Sequence, residues 1–395
     1  MKIGIDATSL SVPRAGVGTY TVNLIRGLND LGGDQVVPLL HRELHPSFVE
    51  DFSNDVLPRG TRGIRRRLNR TLWMQTALRG RIRSEGFDIC HFPNSVAPLW
   101  CRSPYVVTIH DAGLWLHPEY HYVRRLLALR PLIPHSAHRA AAVVTVSQSV
   151  KRELVEVLRL PEAKVRVIHP GISPSFAVTP SRDELERVRK RHGLPERFVL
   201  VVGALEPRKN LVRLLDAYTA LAAEPSGRGV GLVIVGPAGW KYQPILDAVS
   251  RVSRRNPIFL LEPVSTEVLV ALYHLASVLA FPSLYEGFGL PSVEAMMCGT
   301  PVVTSGRGAL AEIAGDAAEF VDPLRVESIS EGLLRVLDDA GRAADLRRRG
   351  LVRARDFHWR RAARETRALY EDISGGTVGA PGLGASILNR TGPGR

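Results

Sequence analysis

The stretch Phe281–Ser305, FPSLYEGFGLPSVEAMMCGTPVVTS, decides how this chain folds. Val278–Phe281 reads as a short buried strand that Pro282-Ser283 ends, and Glu286-Gly287-Phe288-Gly289 forms a loop with two glycines. Pro291 suits the first turn of a helix, where its missing N–H has no intrahelical partner to lose. Gly299 stops that helix, Pro301 follows, and Val302-Val303-Thr304 opens the next strand. The unit is strand, glycine loop, short helix, strand. A helix N-terminus behind glycines presents bare backbone N–H groups and a positive dipole end, which suit phosphate. Glu286 in the loop and Glu294 in the helix flank that cradle. Carboxylates there repel an anion unless they accept hydrogen bonds from neutral hydroxyls, as sugar rings provide. The residues point to a nucleotide-sugar.

Outward from this unit, strands and helical stretches alternate along the chain, the pattern of parallel sheets covered by helices. Lys2–Ala7, Val36–Leu40, Ile89–Phe92, Tyr105–Ile109, Ala142–Val146 and Lys164–Ile168 read as strands of the first half. Phe198–Val202, Gly231–Val235, Ile258–Leu261, Val278–Phe281, Val302–Thr304 and Ala318–Val321 read as strands of the second. The expected class is α/β, with two doubly wound parallel sheets. Their boundary falls in His169–Ser181, where three prolines and Gly171 break regular structure. Beyond Val321 the chain reads as helix over Glu327–Asp339, Arg342–Arg355 and Phe357–Ile373, and the Gly/Pro-rich tail 374–395 reads as disordered.

Glu286 and Glu294, with seven residues between them in YEGFGLPSVEAMMCGTPVV, resemble the signature of the retaining glycosyltransferases of family 4. The resemblance extends from Met1 to the region of Ile373. It implies the GT-B fold, two Rossmann-like domains facing a cleft. Residues 1–172 would bind the acceptor and residues 182–356 the nucleotide-sugar. The helix 357–373, introduced by Phe357-His358-Trp359, would cross back onto the first domain.

A chain of 395 residues suffices for two full cores, and 45% hydrophobic with 23% charged residues is ordinary for a globular protein. No run approaches the roughly 20 apolar residues of a membrane span, and MKIGIDAT reads as a strand and not a leader. Three cysteines without CxxC spacing fit a reducing cytoplasm and argue against structural zinc. The net charge of +13 is uneven: residues 1–171 hold 23 Lys/Arg against 14 Asp/Glu. Such a face attracts anionic lipid or nucleic acid, yet no nucleic-acid module is recognisable. Arg62–Arg83 reads as a helix with Ile64, Leu68 and Leu72 at four-residue spacing and Arg65, Arg66, Arg67 and Arg70 off that stripe. Tyr122–Arg130 has the same character. Both stretches fit either an interfacial helix on anionic lipid or an ordinary surface helix.

Arg208-Lys209, in VVGALEPRKN, follow a strand and precede a helix near Leu211. Cations there oppose the helix dipole, so an anion should compensate them. In the family the matching residues contact the donor pyrophosphate. Gly16 and Gly18 follow the first strand, either as plain turn residues or to admit a ligand to the backbone; in related enzymes this loop lies over the donor phosphates, which favours Gly16 as a site residue. His110-Asp111 end a strand, where open α/β sheets place ligands. His110 matches a family histidine that approaches the donor sugar, with Asp111 orienting its ring. His91, Asn94 and Ser147 stand at similar strand ends and are weaker acceptor-side candidates. Val264 corresponds to a family position beside the nucleotide base, but Glu262-Pro263 replace the usual glycine and aromatic before it and leave base selectivity open.

The resemblance therefore implies transfer of a hexose, mannose from GDP-mannose first, to a hydroxyl of a glycan or lipid-linked acceptor in surface polysaccharide synthesis. His110 and Glu286 would act on the sugar. Gly16, Arg208, Lys209, Val264, Gly287, Phe288, Gly289, Leu290 and Glu294 would hold the donor. No cofactor or metal is expected, since no Asp-x-Asp occurs and Arg208, Lys209 and a helix dipole can neutralise the departing diphosphate. The expected location is cytoplasmic, peripheral on the inner membrane face if the basic stretches touch lipid. A sugar-nucleotide epimerase or phosphorylase of the same fold, or a non-catalytic membrane-associated scaffold, stand as alternatives.

Overall fold

A computed structural model describes residues 1–52 and 70–376. Twelve strands, β1 (Lys2–Asp6), β2 (Gln35–Leu39), β3 (Ile89–Phe92), β4 (Tyr105–Ile109), β5 (Ala142–Thr145), β6 (Val165–Val167), β7 (Phe198–Val202), β8 (Gly231–Val235), β9 (Ile258–Leu261), β10 (Val278–Phe281), β11 (Val302–Ser305) and β12 (Glu319–Val321), form two sheets. Their orders are β2-β1-β3-β4-β5-β6 and β12-β11-β10-β7-β8-β9. Every pairing is parallel. The central strands are continuous apolar runs because helices cover both faces: VVT of β5 and VLAF of β10 are buried throughout.

Each order contains one place where neighbouring strands send their chains in opposite directions, between β1 and β3 and between β7 and β10. Crevices open there, beyond the strands' C-terminal ends. The segments that leave β7 and β10 are those carrying Arg208-Lys209 and Glu286, so topology alone brings them together.

The helix Gly16–Leu31 begins at Gly16 itself, so Gly16 and Gly18 stand in its first turn and not in a loop before it. Gly18 lies inside it for packing reasons: a Cβ there would come within 2.7 Å of the Phe48 ring. The last helix, Trp359–Ser374, packs beside Gly16–Leu31 in the layer over the first sheet. It buries Trp359, Leu369, Tyr370 and Ile373 with Ile3, Ile5 and Leu24, each large side chain contributing about 1.5–3 kcal/mol. The chain thus passes between the two sheet layers twice, and the passages run side by side. Ile172 N–H donates to the Phe357 carbonyl at 3.1 Å. A Cβ on Gly171 would lie 2.1 Å from the Trp359 nitrogen, so only glycine fits there.

The basic stretch after residue 69 is helical over Arg70–Trp73, Met74–Leu78 and Arg79–Glu85. Its buried face is Trp73, Met74, Leu78 and Ile82, whereas Leu72, the one stripe residue among the described residues, is exposed. Ile64, Arg65, Arg66, Arg67 and Leu68 lie outside the described residues, as does the tail from residue 377. No helix among the described residues is long and apolar enough to cross a membrane.

Candidate active site

Beyond β10 the chain turns through Glu286 and enters the helix Leu290–Met297 at Gly289, whose φ of 96° favours glycine. No side chain caps that helix; in its first turn Pro291 has no N–H, and Ser292 N–H donates to the Gly289 carbonyl at 3.0 Å. The Ser292 hydroxyl in its first turn is buried without a hydrogen-bond partner. Beyond β7 the turn Pro207–Lys209 delivers two cations to the same place. Lys209 Nζ donates to Glu286 Oε1 at 2.6 Å, and Arg208 Nη1 donates to Glu286 Oε2 at 2.5 Å. Arg208 also reaches Glu206 Oε1 through Nη2 at 2.6 Å and Nε at 3.2 Å, and the Tyr285 carbonyl through Nη1 at 3.0 Å. The anions that compensate the two cations are therefore Glu286 and Glu206 of the protein itself. A guanidinium carries five N–H donors and an ammonium three, so one donor of Arg208 and two of Lys209 stay open to a ligand.

Burial by itself would raise the Glu286 carboxyl, but the Arg208 guanidinium and Lys209 ammonium outweigh it and hold it below the usual carboxylate range. Lys209 lies over the Phe281 ring at 4.5 Å, and burial pushes its ammonium down against the pull of Glu286. Glu294 behaves oppositely. Burial raises it to about 7, although the Tyr273 hydroxyl donates to it at 2.9 Å.

Across the cleft, His110 Nε2 lies 2.8 Å from the Pro93 carbonyl, so that nitrogen carries the proton. The ring meets Tyr20 edge-on at 4.8 Å, and burial lowers its pKa. Asp111 accepts from Gly113 N–H at 2.9 Å and shapes the following turn, with no bond to the His110 ring. Gly287 closes on this segment so tightly that a Cβ would sit 1.9 Å from the His110 carbonyl oxygen. A cavity of about 260 Å³ lies between the two halves, lined among others by Val17, Asn94, His110, Asp111, Arg208 and Tyr285.

The remaining candidates fall in different places. Gly16 is exposed at the uncapped start of its helix, with open space where a Cβ would stand and Val17 in the cavity wall. Phe288 is buried, packing edge-on against Phe357 at 5.4 Å where the chain crosses between layers. Leu290 and Val264 are half-buried against the core of the second sheet layer. His91 does not line the cleft. It is wholly buried, bonded to Tyr370 Oη at 2.5 Å and Thr108 Oγ1 at 2.7 Å, and burial lowers its pKa to about 3. It ties the last helix to the first sheet. Ser147 caps the helix Gln148–Leu158, accepting from Val150 N–H at 3.1 Å. Tyr285, next to Glu286, gave no sign in the sequence, yet it enters the opposite half of the site.

Residues 183–353 match the model of glycosyl transferases group 1, and residues 14–176 match glycosyltransferase family 4. The O-antigen chain mannosyltransferase B of Escherichia coli is 32% identical over 283 residues, which covers 72% of this chain and 74% of that one. The chain belongs to glycosyltransferase family 4. A serotype-specific mannosyltransferase WbdA of Escherichia coli is 31% identical over 57% of this chain, a region spanning only 28% of that longer protein. Among solved structures, sucrose-phosphate synthase from Thermosynechococcus elongatus superposes with a TM-score of 0.74 at 20% identity, covering 94% of this chain and 98% of that one. WaaG, a glycosyltransferase involved in lipopolysaccharide biosynthesis, gives 0.69 at 17% identity, covering 95% and 100%. The fold is the GT-B arrangement of such enzymes. In this family 4 glycosyltransferase, the paired glutamates of the signature have different electrostatics: two cations hold the Glu286 carboxyl below the usual range, and burial raises that of Glu294.

Proposed function

We propose that this glycosyltransferase moves a mannosyl unit from GDP-mannose to a hydroxyl of a growing surface glycan or lipid-linked acceptor, with retained anomeric configuration. The observation that carries this reading is the convergence of Arg208, Lys209, Glu286 and Glu294 on one uncapped helix start. The open donors of Arg208 and Lys209 and the positive dipole end of the helix behind Gly289 take the diphosphate. They stabilise it more as it departs with extra charge, so no metal ion is needed. Glu294 accepts from the ribose hydroxyls. Glu286 holds the sugar ring on its donor side, and His110 faces it from the other domain. The mannose preference rests on the E. coli mannosyltransferase that this chain resembles at 32% identity.

The acceptor side fits a lipid surface. Trp100 is 59% exposed beside Arg79, whose guanidinium lies 5.7 Å from its ring, with Arg83 and Arg102 lining the same groove. On the helix Val123–Arg139, Val123 and Leu127 are 70% and 73% exposed while Leu129 and Ile133 line the cleft cavity. One helix thus offers apolar side chains both outward and into the site, as suits an acceptor delivered from a membrane.

The donor reading is tested by thermal shift of the purified protein with GDP, UDP, ADP and dTDP. A nucleotide at 100 times its Kd stabilises by about 2.7 kcal/mol. GDP should raise Tm most; no shift with any nucleotide contradicts the reading, and a larger shift with UDP overturns the choice of GDP.

A further inference from the structure

Tyr285 joins the two halves of the site through one hydroxyl. It belongs to the loop after β10 and immediately precedes Glu286. Its carbonyl is held by Arg208 within its own domain at 3.0 Å. Its side chain crosses the cleft, where the hydroxyl accepts from Ala112 N–H at 2.8 Å and donates to Glu153 Oε2 at 2.6 Å. Ala112 follows His110-Asp111 directly, and Glu153 lies in the helix Gln148–Leu158. The socket is shaped for the ring. His117 packs against it at 4.8 Å, and a Cβ on Gly113 would already lie 3.3 Å from Tyr285 Cε1. Burial, with Asp111 and Glu153 nearby, pushes the phenol up, so it stays a neutral donor. The same helix is gripped a second time: Glu312 of the nucleotide-side domain accepts from Gln148 N–H at 2.7 Å and Ser149 N–H at 2.8 Å.

We propose that Tyr285 and Glu153 are positioning residues that set Glu286 opposite His110 when the domains close, a role that rests on reading the cleft as a nucleotide-sugar transfer site. The groups assigned to the nucleotide, Arg208, Lys209 and Glu294, lie on one domain and do not need this contact. The sugar, held between Glu286 and His110, does. Losing the Tyr285 hydroxyl therefore weakens transfer and spares nucleotide binding. Glu153 acts only as an acceptor, so an amide oxygen in its place serves as well.

The experiment uses the full chain with GDP-mannose and an acceptor that the wild type glycosylates, and reads kcat, donor KM and GDP affinity by calorimetry. Tyr285→Phe should lower kcat about 10–100-fold, the effect of losing hydrogen bonds that include a charged partner, with GDP affinity changed less than about twofold. Glu153→Leu should do the same. Glu153→Gln should stay within about threefold of wild type, and Tyr285→Phe/Glu153→Leu should be no worse than either single change. Normal kcat in Tyr285→Phe overturns the proposal. So do parallel losses of Tm and GDP affinity, which mark a merely structural tyrosine, or a Glu153→Gln as poor as Glu153→Leu. A wild type that binds no nucleoside diphosphate would instead overturn the reading of the site.

Discussion

The Glu286 carboxylate lies 2.6 Å from the Lys209 ammonium, although they stand 77 positions apart in the chain. Besides the diphosphate contact proposed for it, Lys209 helps to hold a buried carboxyl below the usual carboxylate range. Lys209→Met removes one of the two cations that hold the Glu286 carboxyl low, while the burial that raises it remains. The acid limb of the kcat profile should therefore move to higher pH in this variant. A limb that stays in place in a series of rates at fixed saturating donor would show that Glu286 does not control it.

Glu294 makes the opposite prediction. Burial raises its carboxyl to about 7 from an ordinary value of 4.5, so the folded protein holds a proton that the unfolded chain releases. The stability tied to that proton is fully present below 4.5 and is lost as pH rises through about 7, on the order of 2–3 kcal/mol. Glu294→Gln should be more stable than the ligand-free wild type at pH 8 and similar at pH 4.5, by urea titration. Donor affinity should fall in the same variant, and in the wild type it should rise with pH through about 7 as the carboxylate forms.

Gly287 gauges domain closure. An alanine Cβ would stand 1.9 Å from the His110 carbonyl oxygen, a backbone atom that cannot swing away. Gly287→Ala should hold the domains apart and lower kcat at least about tenfold, with GDP affinity largely kept. Comparable kcat in the two proteins would show that the contact is not needed for turnover.

The groove beside Trp100 and the exposed Val123 and Leu127 predict binding to anionic vesicles that fades with salt, and little binding to neutral ones. Each basic side chain near the surface contributes about 1 kcal/mol. Arg79→Glu with Arg83→Glu should abolish sedimentation with vesicles. Equal binding to both vesicle types, or none to either, contradicts the surface reading.

The strands were legible because the central ones are short, mostly apolar runs, as in FVLVV before Gly203 and VLAF before Pro282, the pattern of a strand buried on both faces. Arg208-Lys209 and Glu286 were each legible as charged residues in a turn after a strand, and that the two turns meet follows from the strand order. What escaped are relations without a local pattern. His91 resembled a cleft residue because it ends a strand, and only its contact with Tyr370, far along the chain, makes it a strut. Phe288 sits within the glycine loop but turns into the aromatic cluster with Phe357. Leu72 shares a spacing with Ile64 and Leu68 and yet is exposed, because Trp73, Met74, Leu78 and Ile82 on the neighbouring face fill the core. Tyr285 and Glu153 are ordinary helix and loop residues until the domains meet.

The most direct test of the account is the turnover of GDP-mannose by wild type, Arg208→Ala and Glu286→Gln, each in excess EDTA. The account predicts full wild-type activity in the chelator and a loss of roughly 10²–10³ in kcat for both variants, as when other preorganised charge stabilisers are removed. Near-normal turnover in both variants, with wild-type activity abolished by EDTA, would contradict it.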